Sequence, residues 1–437
     1  MLLIYTPRLT NRLGYTLNVI FRHMLRTDFS ITTDEAYFAA SEGAKLCYGP
    51  RRIGDSLHIK SCNLLFATSI EEVEAKPARI DGQWTLFPVY GRDLDIQFDL
   101  LAATFFMLSR YEEYLPHRKD QHGRFTADQS LAAEAGFLTE PVVDQWICLL
   151  RKLLTERYHD IKLKPRTYRF VQTVDIDAAW CYLHKGFFRT VTGLARDAFA
   201  RRDMTEVRRR IRVLRHREQD PFDTFDYILD KARNTPDSHL IFFALLADYG
   251  QYDKPSNYMN PHTRELLQHL GDYAKVGIHP GYHSLEEPMR LDAEKRRLQD
   301  IMHRTIVRAR FHFLRMRLPR GYRILQRSGI RHDYTMGYAD TIGFRAGTSV
   351  PYPFYDLERD LETELTIHPF CAMDTAMNTH MGLSPEQAVE TYKDLTDKVR
   401  QVGGDFCCVI HNQNLCELFG WQGWRNVYEQ MLELAKP

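Results

Sequence analysis

The sequence predicts an α/β protein in which a smaller α/β unit precedes a parallel barrel or doubly wound sheet. Three observations carry this. From about residue 167, short apolar strands alternate with helices. Polar side chains stand at the carboxyl ends of those strands, at Asp175, Asp177, His279 and His411. In both architectures such ends converge on one site. Before them, a basic, proline-containing break at residues 162–166 divides residues 1–165 from residues 167–437.

Composition narrows the function. At 437 residues the chain exceeds one ordinary core, which favours two domains. A net charge of +1 offers no global field for nucleic acid, so a nucleic-acid partner is not expected. No apolar run reaches the roughly 18 residues of a membrane-spanning helix. The opening MLLIYTPR turns polar too soon for a secretory leader, and the expectation is a cytoplasmic protein. Eight cysteines without a CxxC pair read as reduced, mostly buried thiols.

The elements follow in order. Residues 2–5 form a short apolar strand, and residues 57–66 alternate well enough to suggest another. Residues 99–114 read as a helix, apolar early and polar late. In the helix at 140–158, Val143, Trp146, Ile147, Leu150, Leu153 and Leu154 share a stripe. Residues 168–174 are a strand that runs into Asp175-Ile176-Asp177. Residues 239–246 make a second buried strand. A helix at 261–274 turns Leu266, Leu267, Leu270 and Tyr273 inward, and a third strand at 275–278 ends in His279. Ser384 is an N-cap with Pro385 at the first helical position. That helix carries Ala388, Val389, Tyr392, Leu395 and Val399 on one face and stops at Gly403-Gly404. A last buried strand at 406–410 delivers His411.

Asp175 and Asp177 flank one residue past a buried strand, so both carboxylates point to one side. Two anions meet cheaply only if a cation joins them or one is protonated. A metal ligand beside a general base fits, and either aspartate suits either role. His279 and His283 stand four apart. Pro280 and Gly281 between them indicate a turn, which makes His279 the firmer ligand. Two histidines and one aspartate leave a coordination position open for water, as in catalytic metal sites. Bound water then loses a proton to the carboxylate, and the leaving amine needs an acid. His411 suits that role, with His368 as its competitor. In Arg310-Phe-His312-Phe-Leu314, alternation places Arg310, His312 and Leu314 on one face. Arg310 needs a carboxylate partner if buried, either Asp175 or a structural one. Arg345, between Gly343 and Gly347, is a candidate substrate contact or a turn cap. Tyr249, in a polar and aromatic segment after a strand, either stacks a sugar ring or shapes a barrel loop, and Tyr282 is a candidate substrate contact.

These residues resemble the polysaccharide deacetylase superfamily. Its first motif, T-F-D-D-G, reads T-V-D-I-D at 173–177. Its second, H-[ST]-x-x-H, matches His279 to His283 in spacing, with Pro280 in place of the hydroxyl residue. Its third, R-x-P-Y, has a partial counterpart at Arg310, and its terminal histidine is matched by His411. The resemblance covers residues 167–437 and implies a distorted (β/α)7 barrel. It implies Asp175 as base, with Asp177, His279 and His283 as ligands of a divalent metal, zinc by expectation. It makes Arg310 the residue that orients the base and His411 the acid. The chain is also similar to a bacterial subgroup found with surface-polysaccharide genes, which carries an extra N-terminal domain. That subgroup often lacks the second histidine, which makes His312 a substitute ligand. The implied reaction is de-N-acetylation of an amino sugar in a surface polysaccharide or glycan precursor. The alternatives are an amidase acting on a small non-sugar amide and a non-catalytic glycan-binding barrel. The basic stretch at residues 196–217 reads as a solvated amphipathic helix along Val207, Ile211 and Leu214. Its sharper reading is peripheral contact with an anionic headgroup or lipid-linked substrate.

Overall fold

The computed structural model describes residues 1–164 and 166–437. The break expected at 162–166 includes Pro165, which lies outside the described residues. The first unit is a four-stranded parallel sheet. Its strands β1 (Leu2–Tyr5), β2 (Phe29–Thr32), β3 (Lys45–Gly49) and β4 (Leu57–Lys60) stand in the order β2-β1-β3-β4. A small antiparallel hairpin follows, β5 (Ala78–Ile80) with β6 (Gln83–Thr85). The strand expected over 57–66 ends at Lys60. Asn63 takes a left-handed turn at φ 72° and opens a 3-10 turn, Leu64–Phe66. The helix expected over 99–114 is Leu100–Leu108, capped by the Asp99 carboxylate. Arg110 at φ 53° then breaks it.

The second unit is a nine-stranded sheet. Its strands are β7 (Arg169–Ile176), β8 (Ser238–Leu245), β9 (Lys275–His279), β10 (Arg308–Ala309), β11 (His332–Asp333), β12 (Tyr352–Asp356), β13 (Leu361–Ile367), β14 (Ala372–Met373) and β15 (Asp405–His411). Their order is β12-β13-β11-β10-β9-β8-β7-β15-β14. Every pairing is parallel except β12 with β13. The expected distorted (β/α)7 barrel is not found as a closed ring. Antiparallel β12 occupies the outer edge of β13, so no ladder joins β13 to β14 among the described residues.

Helices cover the sheet through their apolar faces. Helix Pro385–Val402 follows its sequence signals closely. Ser384 and Gln387 form a reciprocal capping box, Pro385 opens the helix, and Gly403 ends it at φ 64°. Ala388, Tyr392, Leu395 and Val399 are buried. In helix Pro261–Tyr273, Leu267 and Leu270 point inward, but Tyr273 is exposed beneath the guanidinium of Arg233. Arg310 to Leu314 is not an alternating strand. It leaves β10 and enters a 3-10 turn, His312–Leu314, where Phe313 has φ 59°.

One apolar core runs through both units, from Leu2 to Ala435. Polar links reinforce it. Buried Asp144 accepts from the Thr348 hydroxyl and from Ser349, 2.7 Å from the Ser349 amide. Buried Glu113 pairs with Arg110 at 2.8 Å and with Arg345 at 2.7 Å. Arg345, a candidate substrate contact by sequence, is therefore structural. It lies buried between the units, donating to Glu113 and to the Gly337 carbonyl.

Candidate active site

Strand register brings the polar strand ends together. His411 lies beside Asp175 across β15 and β7, and His279 ends β9, two strands beyond β7 with β8 between them. Arg310 and His312 follow β10, the next neighbour. These ends line a cavity of about 210 Å³ whose walls include Asp175, Asp177, His279, His312 and His411.

At its floor, Asp177, His279 and His312 offer ligand atoms within 4.8 Å of one another. The Asp177 Oδ1 lies 3.5 Å from the His279 Nε2 and 3.6 Å from the His312 Nε2. Two bonds of about 2.1 Å at a tetrahedral angle span about 3.4 Å, so a zinc-sized ion fits this triangle as it stands. Two further observations support the fit. The Asp177 Oδ1 is buried without a hydrogen-bond partner, an expensive state for a carboxylate oxygen. Both imidazoles also have their other nitrogen engaged. The His279 Nδ1 meets the Arg310 carbonyl, and the His312 Nδ1 meets the Asp253 Oδ1 at 2.7 Å. A histidine that donates through Nδ1 presents its Nε2 lone pair to a metal. Burial alone would raise the Asp177 carboxyl, but His312, His279 and His411 hold it well below the usual carboxylate range. Burial opposes charge on His279, yet Asp175 and Asp177 push its pKa up.

His283 does not join this group. Pro280 and Gly281 carry the chain into the 3-10 turn Tyr282–Leu285, where His283 is exposed. His312 stands with Asp177 and His279 instead, its amide donating to the Pro280 carbonyl at 3.0 Å just past β9.

The remaining groups flank the triangle. Asp175, buried, accepts from the Arg310 Nη1 at 2.7 Å, and its other oxygen lies 3.7 Å from the His279 Nε2. Arg310 is held in turn by the Tyr334 carbonyl and by the faces of Phe243 and Phe370. Opposite, the His411 Nε2 stands 4.0 Å from Asp177, and its Nδ1 bonds Asp374 at 2.7 Å. Burial disfavours the His411 cation, but Asp374, Asp177 and Asp175 push its pKa up to about 10. His368 is elsewhere, stacked 4.3 Å from the Tyr334 ring and bonded to His332. Burial lowers its pKa well below the ordinary value.

Tyr282 and Tyr249 lie outside the cavity wall. Tyr282 is buried in an aromatic cluster, 3.9 Å from Tyr252, and its hydroxyl meets His122 at 3.1 Å. Its backbone amide steadies Asp253 at 3.0 Å. Tyr249 is 54% exposed beside a second cavity.

Sequence reasoning missed Asp253 and Asp374, each of which orients a histidine, and Gln413, which donates to Asp177 at 3.3 Å. It also missed Arg124, from the first unit, which lines the cavity and donates to the Phe313 carbonyl at 2.7 Å. The only signal for Asp253 was its polar, aromatic segment after a strand, and nothing local marked the other three.

Residues 2–159 match the model of a family of unknown function, DUF7033. No curated protein matches the chain. The chain is similar to a Mycobacterium smegmatis crystal structure that bears the name polysaccharide deacetylase, with 16% identity over 62% of this chain and 84% of that one, at a TM-score of 0.39. It is similar to a probable polysaccharide deacetylase from Pseudomonas aeruginosa, with 17% identity over 61% and 83%, at a TM-score of 0.36. It is also similar to an allantoinase, with 14% identity over 62% and 84%, at a TM-score of 0.36. The motifs at 173–177 and 279–283 resemble the same class of deacetylase.

Proposed function

We propose that the chain is a metal-dependent amide hydrolase that removes the N-acetyl group from an amino sugar in a surface-polysaccharide or glycan precursor. The observation that carries this reading is the Asp177, His279 and His312 triangle, with Asp175–Arg310 on one side and His411–Asp374 on the other. A divalent cation held there, zinc in this proposal, supplies Lewis-acid polarisation and a lowered pKa for water. Asp175 takes the proton of the attacking water. Arg310 holds that carboxylate in place through its 2.7 Å contact. His411, held cationic by Asp374, gives a proton to the departing amine. A neighbouring cleft shares Asp177, His312 and Gln413 with the site, and Tyr252, Phe313, Phe419 and Trp421 line it. Such aromatic faces suit a sugar ring. Eight free cysteines support a reducing, cytoplasmic setting. No helix among the described residues is long and apolar enough to cross a membrane.

The test is acetate release from N-acetylated amino sugars by protein reconstituted with zinc or cobalt. Activity that disappears in Asp175→Asn supports the reading. Failure on acetylated sugars with hydrolysis of small ureides would replace it with the small-amide reading. Tight sugar binding without turnover under any divalent metal would replace it with the non-catalytic one.

A further inference from the structure

The segment before helix Phe225–Arg233 plays no part in the chemistry above, and it is unusual in two ways. Residues 185–217 hold eleven Lys and Arg against three Asp and Glu, in a chain of net charge +1. Helix Phe187–Ala195 buries none of its residues. Phe188 and Val191 lie on one stripe that continues to Phe199 in the π-helical extension Arg196–Ala200. Phe188 and Phe199 are each 82% exposed, and Phe187 and Met204 are exposed beside them. The apolar stripe of a surface helix ordinarily meets the core, and this one faces away from it.

The opposite side fixes the orientation. Gly193 packs against the guanidinium of Arg210, and a Cβ there would come within 2.7 Å of the Arg210 Nη1. Arg210 is locked to buried Asp197 at 2.6 Å. The acidic groups of the segment are used internally. Asp197 also lies within 3.5 Å of Arg201, Asp203 caps helix Met204–Leu214, and Glu206 pairs with Arg209 at 3.0 Å. The outward face therefore keeps its positive charge.

Between this helix and the segments that follow β7 and β8 lies a cavity of about 410 Å³ lined by Lys185, Arg189, Arg196, Arg210 and Lys254, with Tyr249 at its wall. Arg189 stacks 3.6 Å over the Tyr249 ring. Lys185 and Lys254 also line the aromatic cleft that reaches Asp177. The basic cavity thus continues into the candidate active site.

We propose that helix Phe187–Ala195 and its extension dock on an anionic lipid bilayer, with a lipid-borne phosphate seated among Lys185, Arg189, Arg196 and Lys254. An outward apolar stripe flanked by arginines is the pattern of an interfacial helix. An anionic bilayer supplies both an apolar layer for the phenylalanines and negative charge for the arginines. A second copy of the chain would set one basic patch against another. Resting on the reading under Proposed function, this surface assigns the substrate class as a phosphate-bearing, membrane-anchored glycan precursor.

Co-sedimentation of the full chain with vesicles tests the docking without any turnover. Phosphatidylglycerol-rich vesicles should bind at least ~tenfold more tightly than phosphatidylcholine vesicles, and added salt should weaken them. The combined Phe187→Ser, Phe188→Ser, Phe199→Ser variant should lose roughly a hundredfold in affinity, with an unchanged circular dichroism spectrum and melting curve because those side chains are largely exposed and none belongs to the core. Asp177→Asn should bind vesicles like the wild type, which separates this inference from the catalytic reading. Equal binding to both vesicle types, or undiminished binding by the triple variant, overturns it. Self-association abolished by the same variant, or calorimetric binding of inorganic diphosphate with no vesicle binding, also overturns it.

Discussion

Replacing His312 with alanine tests the metal triangle most directly. The wild-type atoms already stand at ligand spacing, 3.5 and 3.6 Å from the shared Asp177 oxygen, so little binding energy is spent on rearrangement. His312 is also pre-aimed by Asp253, whose carboxyl the His312 partnership holds below its usual range against burial. Losing an orienting partner of this kind costs 10–100-fold in metal affinity, roughly 1.4–2.8 kcal/mol. Losing the ligand itself must cost more. The expected series in zinc affinity is therefore wild type, then Asp253→Asn lower by ~10–100-fold, then His312→Ala lower by more than ~100-fold. His283→Ala should match the wild type, because that side chain is exposed and outside the triangle. Competition titration against a chromophoric chelator measures all four proteins, and elemental analysis gives the stoichiometry. A wild-type affinity in His312→Ala, or a loss in His283→Ala equal to that of His312→Ala, would refute the reasoning.

Two further predictions concern charge. Glu113→Gln leaves Arg345 buried without its carboxylate and Arg110 with Glu112 alone, and should destabilise the protein by about 3–5 kcal/mol in urea unfolding. Burial opposes ionisation of Glu113, but Arg345 and Arg110 hold its pKa at about 2. Its folded value lies below the unfolded one, so its contribution is present above pH ~4.3 and lost as pH falls through about 2. Calorimetric Tm against pH should show that acid loss in the wild type and a smaller one in the variant. His411→Asn should lower kcat by roughly 10²–10⁴. Because the His411 pKa sits near 10, above its unfolded value, wild-type turnover should persist at neutral pH and fall as pH rises through about 10. Rate profiles that differ between the two proteins only by a constant factor would remove His411 from the acid role.

Local signals were most legible where one residue's chemistry is enough. The capping box at Ser384, the proline beside it and the glycine at 403 define a helix with no help from elsewhere. A polar residue after a run of strand-forming side chains marks a strand end, which is why Asp175, Asp177, His279 and His411 stood out. Short or irregular pieces were not legible. β10 and β11 have two residues each and no periodicity to detect. The alternation at Arg310 to Leu314 mimicked a strand because nothing in the sequence announces a left-handed Phe313.

The sequence by itself determined which strands end in carboxylates and imidazoles, since each of those groups directly follows an apolar run. Only the tertiary structure decided which side chains converge. His283 is four residues from His279 and His312 is thirty-three away, yet the distant one shares the Asp177 oxygen. Arg345 looked like a substrate contact and instead ties the two units together through Glu113, more than two hundred residues earlier. Ligand geometry is set by atoms that converge in space. Sequence spacing predicts convergence only within a regular helix or strand, and both of these contacts form outside one.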